Sequence, residues 1–453
     1  MRPTTAKWNS RPRNGTVLIV VMWIVLVLAG LVLVFARAMR VELIASANHL
    51  AQLQAETVAR AGLQYVLSQV DGTDGSPLAV PDTGYEAVQV GEGFFWVLNP
   101  SLDDDSTHLF GARDEASRIN LNAATEDILL KLPSMTTELA ASIVDWRDAD
   151  DDVSPGGAEN EHYLLLSDAY YCKNAPLESV DEVLLVKDAS PVLLPGEDAN
   201  LNGVLDPNEN DGADVDPPDD RDGRLARGLL HYCTVYSREP NRSTSGEARV
   251  NVNEANGQQL AALLRRVLDQ DRLPQVMALV QSGRPFQNIV DFYLRTGLSA
   301  SEFGQIADAV TATRERTLVG LVNVSTAPRQ ILLCLPGLEE SDVDELLVRR
   351  SAPDTDLTTV AWVAESLPPE KAVAIGGLIT VRSFQFSADI VAVSGDGRAF
   401  RRHFAVIDAS TSPARVLRWE DRTSLGWPLA LDILTDVRHG ESPIASASSV
   451  SGG

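Results

Sequence analysis

The chain has 453 residues and a formal net charge of −25, with 22% charged and 44% hydrophobic residues. This composition is typical of a globular protein and excludes a disordered one. A soluble part of about 380 residues predicts two or three domains. The acidic balance argues against phosphate backbones and anionic membrane surfaces as partners, and it is compatible with bound cations.

The longest apolar stretch lies near the N-terminus. No charged residue occurs from Gly15 to Ala36, and Lys7, Arg11 and Arg13 precede this run. As a helix rising about 1.5 Å per residue, the run is about 33 Å long and can span a bilayer. The basic residues before it predict a cytoplasmic N-terminus, with everything after the run on the other side of the membrane. A plain signal anchor is the competing interpretation.

The helical pattern continues beyond the apolar run. From Arg37 to about Val70 there is no Pro and a single Gly, Gly62, while apolar residues keep an approximate helical period. Ala36-Arg37-Ala38 has a charge in the middle, so it is not a small-x-small signal-peptidase site. We therefore predict one continuous helix over residues 16–70, half in lipid and half amphipathic.

A basic leader that ends in Gly15, directly before an apolar helix, resembles a type IV pilin-like protein. In that family a prepilin peptidase cuts after the Gly and methylates the new N-terminus. The resemblance implies a leader over residues 1–15 and cleavage between Gly15 and Thr16. Most pilins have a Glu at the fifth mature position, which is costly in lipid and is thought to pair with a neighbouring subunit's amine. This chain has Val20 there, as in the K minor pseudopilin of the type II secretion system, whose place at the tip needs no such pair.

Segments on both sides of the centre predict a small antiparallel sheet, the pilin-like α+β architecture. Its first part is expected in residues 71–118 and its second in residues 377–428. A Gly395-Asp396-Gly397 turn between two apolar runs is a hairpin signal. Residues 429–453 are rich in Ser, Ala and Gly towards the end and predict a disordered tail. The predicted strands are Tyr85–Val90, Gly93–Leu98, Leu378–Val393 and Phe400–Val406.

Residues 119–376 contain a threefold repeat. Asn120-Leu121-Asn122-Ala123-Ala124 matches Asn251-Val252-Asn253-Glu254-Ala255 and Asn323-Val324-Ser325-Thr326-Ala327. Each copy of the motif, with the residues that follow it, predicts a short extended segment followed by helices. These units resemble helix-hairpin-helix or SAM-like modules, and the K pseudopilin has a helical domain of this kind inserted into its sheet. A DNA-binding hairpin needs a Gly-rich turn with basic neighbours. Here one turn lacks Gly and the other places Glu339 and Glu340 beside it, so we predict no nucleic-acid binding.

The insertion includes a twelve-residue segment, Asp198 to Glu209, that matches the EF-hand calcium loop. Oxygen-bearing side chains fall at positions 1, 3, 5, 9 and 12, and Gly203 stands at position 6. Calcium prefers six to eight hard oxygen ligands, and a bidentate Glu ends the pattern. We therefore predict a structural Ca²⁺ site whose ligands are Asp198, Asn200, Asn202, Asp206 and Glu209 through their side chains and Val204 through its carbonyl.

Two further acidic clusters predict a second ion, and two cysteines predict a disulfide. The acidic residues singled out are Asp150, Asp152 and Glu159 in the first unit and Asp214 and Asp216 after the calcium loop. Cys172 and Cys233 flank the acidic segment and are the expected pair if the soluble part is periplasmic, with free buried thiols as the alternative.

No catalytic constellation occurs in the sequence, so an enzyme is not expected. The resemblance implies a minor pseudopilin of the type II secretion system in the bacterial inner membrane, with its soluble part in the periplasm. It would join the I, J and H minor pseudopilins and the major pseudopilin after processing by the prepilin peptidase, and would help to initiate the pseudopilus. Alternatives are a signal-anchored periplasmic enzyme or binding protein with helix-hairpin-helix modules, and a membrane-tethered DNA receptor, which the net charge disfavours.

Overall fold

A computed structural model describes residues 14–212, 218–254, 257–441 and 443. The helices are numbered along the chain. They are α1 (Asn14–Val70), α2 (Glu126–Leu129), α3 (Thr137–Arg147), α4 (Asn160–Tyr163), α5 (Leu229–Tyr232), α6 (Gln258–Leu264), α7 (Arg272–Gly283), α8 (Ile289–Thr296), α9 (Ala300–Ala307), α10 (Arg329–Leu333), α11 (Glu340–Ser351), α12 (Ala361–Ser366), α13 (Pro369–Ile375) and α14 (Leu431–His439).

The strands are numbered in the same way. They are β1 (Val88–Val90), β2 (Gly93–Leu98), β3 (Arg113–Asp114), β4 (Ile119–Asn120), β5 (Cys233–Thr234), β6 (Arg238–Pro240), β7 (Val250–Asn251), β8 (Val310–Thr311), β9 (Thr317–Val319), β10 (Val322–Asn323), β11 (Ile379–Thr380), β12 (Gln385–Val393), β13 (Phe400–Asp408) and β14 (Arg415–Asp421).

Helix α1 is a single 57-residue rod with two different surfaces. Its first half is exposed along its whole length, and α1 is long and apolar enough to cross a membrane. Its second half buries small and branched residues against the main sheet, so side chains such as Val58, Ala59 and Val66 share a core with Phe95 and Ile390. The predicted long N-terminal helix is confirmed.

The main sheet has the order β1-β2-β12-β13-β14, and β3 pairs with one end of β12. All of its pairings are antiparallel, as the sequence predicts. The predicted strand Leu378–Val393 is divided in the structure: β11 belongs to the helical insertion, and only β12 from Gln385 belongs to the sheet. The fold is α+β, with a long N-terminal helix, a small antiparallel sheet and a helical domain.

The helical insertion between β3 and β12 consists of three similar units. Each unit begins with a short strand from the Asn-x-Asn or Asn-x-Ser motif, continues through helices, and ends with a strand that pairs in parallel with the first. The three pairs are β4–β5, β7–β8 and β10–β11. Parallel pairing requires a crossover connection, and here the helices of each unit provide it.

The predicted disordered tail is wrong over residues 431–439. These residues form α14, whose Ile433 and Val437 are buried with Trp96, Val391 and Val393 on the sheet face away from α1. The apolar residues at helical spacing outweigh the small polar residues that follow. Residue 442 and residues 444–453 lie outside the described residues.

Candidate functional site

The loop at Asp198–Glu209 folds around its first carboxylate. Asp198 is buried, and its Oδ1 and Oδ2 accept hydrogen bonds from the backbone N–H groups of Asn202 (3.0 Å) and Gly203 (2.8 Å). Gly203 has a φ of +76°, a conformation that glycine adopts without a steric penalty. The amides of Asn200 and Asn202 then meet one oxygen of Asp206, at 2.7 and 3.0 Å. The loop therefore brings the side chains of Asn200, Asn202 and Asp206 into contact.

Glu209 folds back onto the beginning of the loop. Its two carboxylate oxygens accept from the backbone N–H groups of Ala199 (2.9 Å) and Asp206 (3.0 Å). Burial raises the pKa of Glu209 to about 7, and the negative charges of Asp198 and Asp206 add to the effect. A buried carboxylate held near two others favours a proton or a cation at this place.

Contacts with the sheet and with the first helical unit hold the loop in place. The buried guanidinium of Arg402, on β13, donates to the carbonyls of Asn200 and Leu201. Arg227 donates to the Gly203 carbonyl at 2.8 Å, and the Asn202 amide donates to the Pro428 carbonyl at 3.0 Å. The loop is thus a joint between the pilin-like sheet and the insertion.

His231 packs against the loop at Asp198–Glu209. Its Nε2 lies 2.9 Å from Asp198 Oδ2, and both side chains are almost fully buried. Burial lowers the pKa of His231, although Asp198 acts against this shift. Sequence analysis missed this histidine because 32 intervening residues separate it from Asp198 and no local pattern links them.

The donor set suits a hard cation, but it is not a preformed carboxylate cage. Within the described parts of the chain, no three His, Cys, Asp or Glu side chains are arranged to hold a metal ion. The oxygens gathered at the loop are mixed carboxylate, amide and carbonyl groups, the types that calcium prefers. Their present partners are backbone N–H groups and amides, which a bound ion would replace in part.

The acidic cluster of the first unit is centred on Glu159. This residue is 2% exposed, and neither of its carboxylate oxygens has a hydrogen-bond partner. Burial raises its pKa, and the charges of Asp145, Asp148 and Asp151 raise it further. The predicted residues Asp150 and Asp152 lie on the exposed turn nearby, where the Asp152 N–H donates to Asp150. Asp214 and Asp216 lie outside the described residues.

Sequence analysis missed Asp145 in this cluster. It lies on α3, is fully buried, and accepts hydrogen bonds from the backbone N–H of Ser154. The signal was an acid between Ile143 and Trp146 on the buried face of a helix, where a charged residue is expensive without a partner.

The structure does not contain the predicted disulfide between Cys172 and Cys233. All three cysteines of the chain are among the described residues, and all are free and buried. The Cys172 thiol contacts the Asp145 carbonyl, whereas Cys233 lies in β5 beside Ile119 of β4. Cys172 thus lies in a loop after α4, whereas Cys233 lies in a strand. Burial raises the pKa of Cys172 to about 12 and that of Cys334 to about 11.

The predicted processing site lies at the start of α1. Gly15 and Thr16 are within the first turns of the helix, and Val20 is 53% exposed on its surface. The basic leader residues Lys7, Arg11 and Arg13 lie outside the described residues.

Residues 111–195 match the family model of type II secretion system protein K. Over this segment the chain is similar to protein K of the type II secretion system. The match begins before β3 and extends through most of the first helical unit, including Asp145 and Glu159. It ends before Asp198, so it does not include the predicted calcium loop, and the prediction of that site depends on the residues of the loop alone.

A solved chain similar to this one comes from the GspK–GspI–GspJ complex of the type 2 secretion system of enterotoxigenic Escherichia coli. The two chains are 13% identical, and the alignment covers 84% of this chain and 98% of that chain with a TM-score of 0.41. No curated protein sequence matches the chain. The similarity to protein K therefore rests on the match over residues 111–195.

Proposed function

We propose that this protein is a minor pseudopilin of the type II secretion system that joins the tip complex and initiates pseudopilus assembly. The observation that carries the proposal is the match to protein K within a chain whose exposed apolar helix runs without a break onto a pilin-like sheet. In this role the protein is a structural component and not an enzyme. Its single apolar helix fits a membrane anchor, in the inner membrane with the soluble part in the periplasm.

The proposed assembly step uses the exposed half of α1. After cleavage behind Gly15, the apolar surface of the helix would pack among the helices of the other minor pseudopilins and the major pseudopilin. Ala29 and Gly30 provide small side chains for close approach of helices in lipid. Val20 leaves the helix without a buried acid to pair with a subunit above it, which suits the topmost position.

Substitution of Gly15 tests this function. Gly15→Leu should block cleavage by the prepilin peptidase, so the precursor keeps its full mass and the export of substrates fails. Gly30→Leu, in the same helix but away from the cut, should be cleaved normally. Intact-mass measurement of the membrane-extracted protein checks both variants. Normal cleavage of Gly15→Leu, or a mature chain that begins at Met1 in the wild type, would favour a plain signal anchor.

The first partners to test are the I, J and H minor pseudopilins. The similar chain named above was solved in complex with GspI and GspJ, so these two types come first. Co-purification of the full-length chains after co-expression, with and without residues 16–36 of this protein, would measure whether α1 contributes to the complex.

We also propose that the loop at Asp198–Glu209 binds a structural Ca²⁺ ion, held by Asp198, Asn200, Asn202, Asp206, Glu209 and the Val204 carbonyl. Burial, with repulsion from Asp198 and Asp206, raises the pKa of Glu209, and this supports the assignment because a divalent cation would neutralise the buried charge. The unpartnered carboxylate of Glu159 supports a second ion in the first unit, with Asp145 as a nearby acid. When bound, calcium would supply charge neutralisation and no chemistry.

Chelation tests the calcium proposal. Addition of EGTA should lower the melting temperature of the full-length protein in detergent, and Ca²⁺ should restore it where Mg²⁺ does not. Glu209→Gln should weaken the effect of Ca²⁺, whereas Glu247→Gln on an exposed turn should leave it unchanged. A melting temperature that does not respond to EGTA would exclude structural calcium.

A further inference from the structure

The threonine of the closing strand has a glutamate partner in units one and three, but not in the described part of unit two. In units one and three, the threonine of the closing strand donates its hydroxyl to a buried glutamate: Thr234 to Glu115 and Thr380 to Glu239. Each glutamate also pairs with an arginine, namely Arg118 in unit one, and Arg249 and Arg382 in unit three. Units one and three therefore share a buried glutamate carboxylate that accepts from a threonine hydroxyl and pairs with a guanidinium.

The first asparagine of the repeated motif also has a side-chain partner in units one and three, but not in unit two as the structure describes it. The Asn120 amide donates to the carbonyl and hydroxyl of Ser237 (both 3.0 Å), and the Asn323 amide donates to the hydroxyl of Ser383 at 2.8 Å. In both units the serine comes three residues after the closing-strand threonine, so the chain leaving the unit covers this position.

Unit two has the equivalent threonine and asparagine, Thr311 and Asn251, but within the described chain their side chains lack the partners found in units one and three. Among the described residues, neither the Thr311 hydroxyl nor the Asn251 amide donates to any group, although Thr311 accepts from the Thr313 N–H as its counterparts do. Both side chains line an open cavity of about 540 Å³. In place of the serine, the residue three positions after Thr311 is Arg314, which is exposed.

The cavity is also basic. Arg314 and Arg316 line it, are exposed, and have no acidic partner among the described residues. The guanidinium of Arg242, which also lines the cavity, donates to the Gly246 carbonyl. Residues 235–321 contain ten Arg, no Lys and nine Asp or Glu, a net charge of +1 in a chain of −25. Unit two is therefore close to neutral in an acidic protein, and its cavity includes two arginines without an acidic partner among the described residues.

We propose that this cavity binds a carboxylate from an acidic peptide segment of a partner protein. The carboxylate would accept from the Thr311 hydroxyl and pair with Arg314 or Arg316, as the internal glutamates do with their threonine and arginine in units one and three. It would also accept from the Asn251 amide, as the Asp114 carboxylate does from the Asn323 amide at 3.1 Å. Hydrogen bonds between ionised groups are among the stronger ones in proteins. This inference is independent of the proposed secretion role.

A protein carboxylate fits better than a nucleic acid. Glu254 and Glu315 also line the cavity, and they would repel a chain of phosphates. A single glutamate or aspartate between flexible neighbours can enter the cavity and leave these two acids in solvent.

A binding assay with the full-length protein in neutral detergent tests the proposal. The probe is a fluorescein-labelled peptide of alternating Glu and Gly, and the reference peptide has Gln in place of Glu. Fluorescence anisotropy at low salt should show binding of the Glu peptide only, weakened on going to about 0.15 M salt, where the Debye length is about 8 Å.

Two variants locate the site. Asn251→Asp keeps the Oδ1 that accepts from the Asn253 N–H at 2.9 Å, so the turn is preserved while the donor to the ligand is lost. It should weaken binding by roughly fivefold or more, as should the double variant Arg314→Gln, Arg316→Gln. The matched control, Arg265→Gln with Arg266→Gln, removes two exposed arginines of the same unit that do not line the cavity and should leave binding unchanged.

Several outcomes would overturn the proposal. These are equal binding of the Glu and Gln peptides, equal losses in the cavity variant and the control, and displacement of the peptide by single-stranded DNA at lower concentration than by unlabelled Glu peptide. Tighter binding of free citrate than of the peptide would assign the cavity to a small carboxylate instead. If Asn251→Asp does not fold, as judged by its melting temperature, the arginine pair decides.

Discussion

Asn122 and Asn253 show how a single side chain closes a helical unit. The Asn122 side chain donates to the Leu177 carbonyl (2.9 Å) and accepts from its N–H (2.7 Å), and Asn253 makes the same two bonds to Phe286 at 2.9 and 2.8 Å. The equivalent Ser325 makes one long contact of 3.4 Å to the Leu357 carbonyl. The repeated motif therefore works as a clamp on the chain about 30 to 55 residues further on.

Glu182 is a second residue that joins separate parts of unit one. Its carboxylate accepts from the Trp146 indole N–H (3.0 Å), from the Lys173 ammonium (2.8 Å) and from the Glu178 N–H (2.8 Å). Burial acts to raise the pKa of Glu182, but these three donors outweigh it, so the pKa lies below its ordinary value of 4.5.

Glu182→Gln should destabilise the protein at pH 7 by about 1–3 kcal/mol, because one charged acceptor loses its pairing. A depressed carboxyl pKa contributes stability that is complete above the unfolded-state value and is lost as pH falls through the folded-state value. The difference between wild type and variant should therefore shrink below pH 4.5. Urea unfolding at pH 7 and pH 3.5 measures it, with the exposed Glu178→Gln as control. A difference that does not change with pH would contradict this role.

Among the elements, helix α1 has two halves that differ in their contacts: the first half is exposed and the second half packs on the sheet. Its exposed half carries large apolar side chains such as Leu18, Trp23 and Phe35. Its second half reaches the sheet through Gly62, where an added Cβ would lie 2.9 Å from Ile390 Cγ2 and 3.1 Å from the Phe95 ring. The missing side chain lets the helix lie close to β2 and β12.

Gly62→Ala should therefore destabilise the helix–sheet contact. Alanine favours a helix by about 1 kcal/mol over glycine, but overpacking a filled core costs about 1–3 kcal/mol. We expect a lower melting temperature in detergent. Gly30→Ala, where no atom lies within 4 Å of the added Cβ, should leave the temperature unchanged or raise it. An equal or greater gain for Gly62→Ala would show that the sheet does not press on the helix here.

For the whole molecule, Arg402 connects the sheet to the calcium-type loop. It is fully buried and makes a two-bond pair with Asp389 on β12, at 2.9 and 2.7 Å, while its remaining donors reach the loop carbonyls. The pilin-like sheet and the helical insertion are thus joined by a charged side chain at this place.

Arg402→Met should lower the free energy of unfolding by about 3–5 kcal/mol, because Asp389 would keep a buried charge without its main partner. The loop should also become sensitive to protease, since it loses its hold on β13. Arg401→Met, on the same strand with a single hydrogen bond to a neighbouring carbonyl, should cost little. Limited proteolysis with mass spectrometry checks the position of the cuts. Cuts unchanged from the wild type would mean that the loop is held by other contacts.

Local pattern was sufficient for the long helix and for most of the sheet strands of this fold. The uncharged run from Gly15 to Ala36, the absence of Pro up to Val70 and the alternating apolar strands predict a long helix on a sheet, because each depends on neighbours in sequence. The threefold motif predicts three units for the same reason. The disordered tail was wrong at α14, since the partners that bury Ile433 and Val437 are strand residues far away in the chain.

The sequence by itself determined which residues could bear the chemistry: the spacing of oxygen ligands from Asp198 to Glu209 is local, so it can be recognised without a fold. Only the tertiary structure decided what surrounds them. His231 against Asp198, Arg402 under the loop, Asp145 beside Glu159 and the separation of Cys172 from Cys233 all depend on packing between distant segments. The same holds for the open cavity of unit two, because repeated motifs predict equal units, and only the packed chain shows which of them lacks its carboxylate.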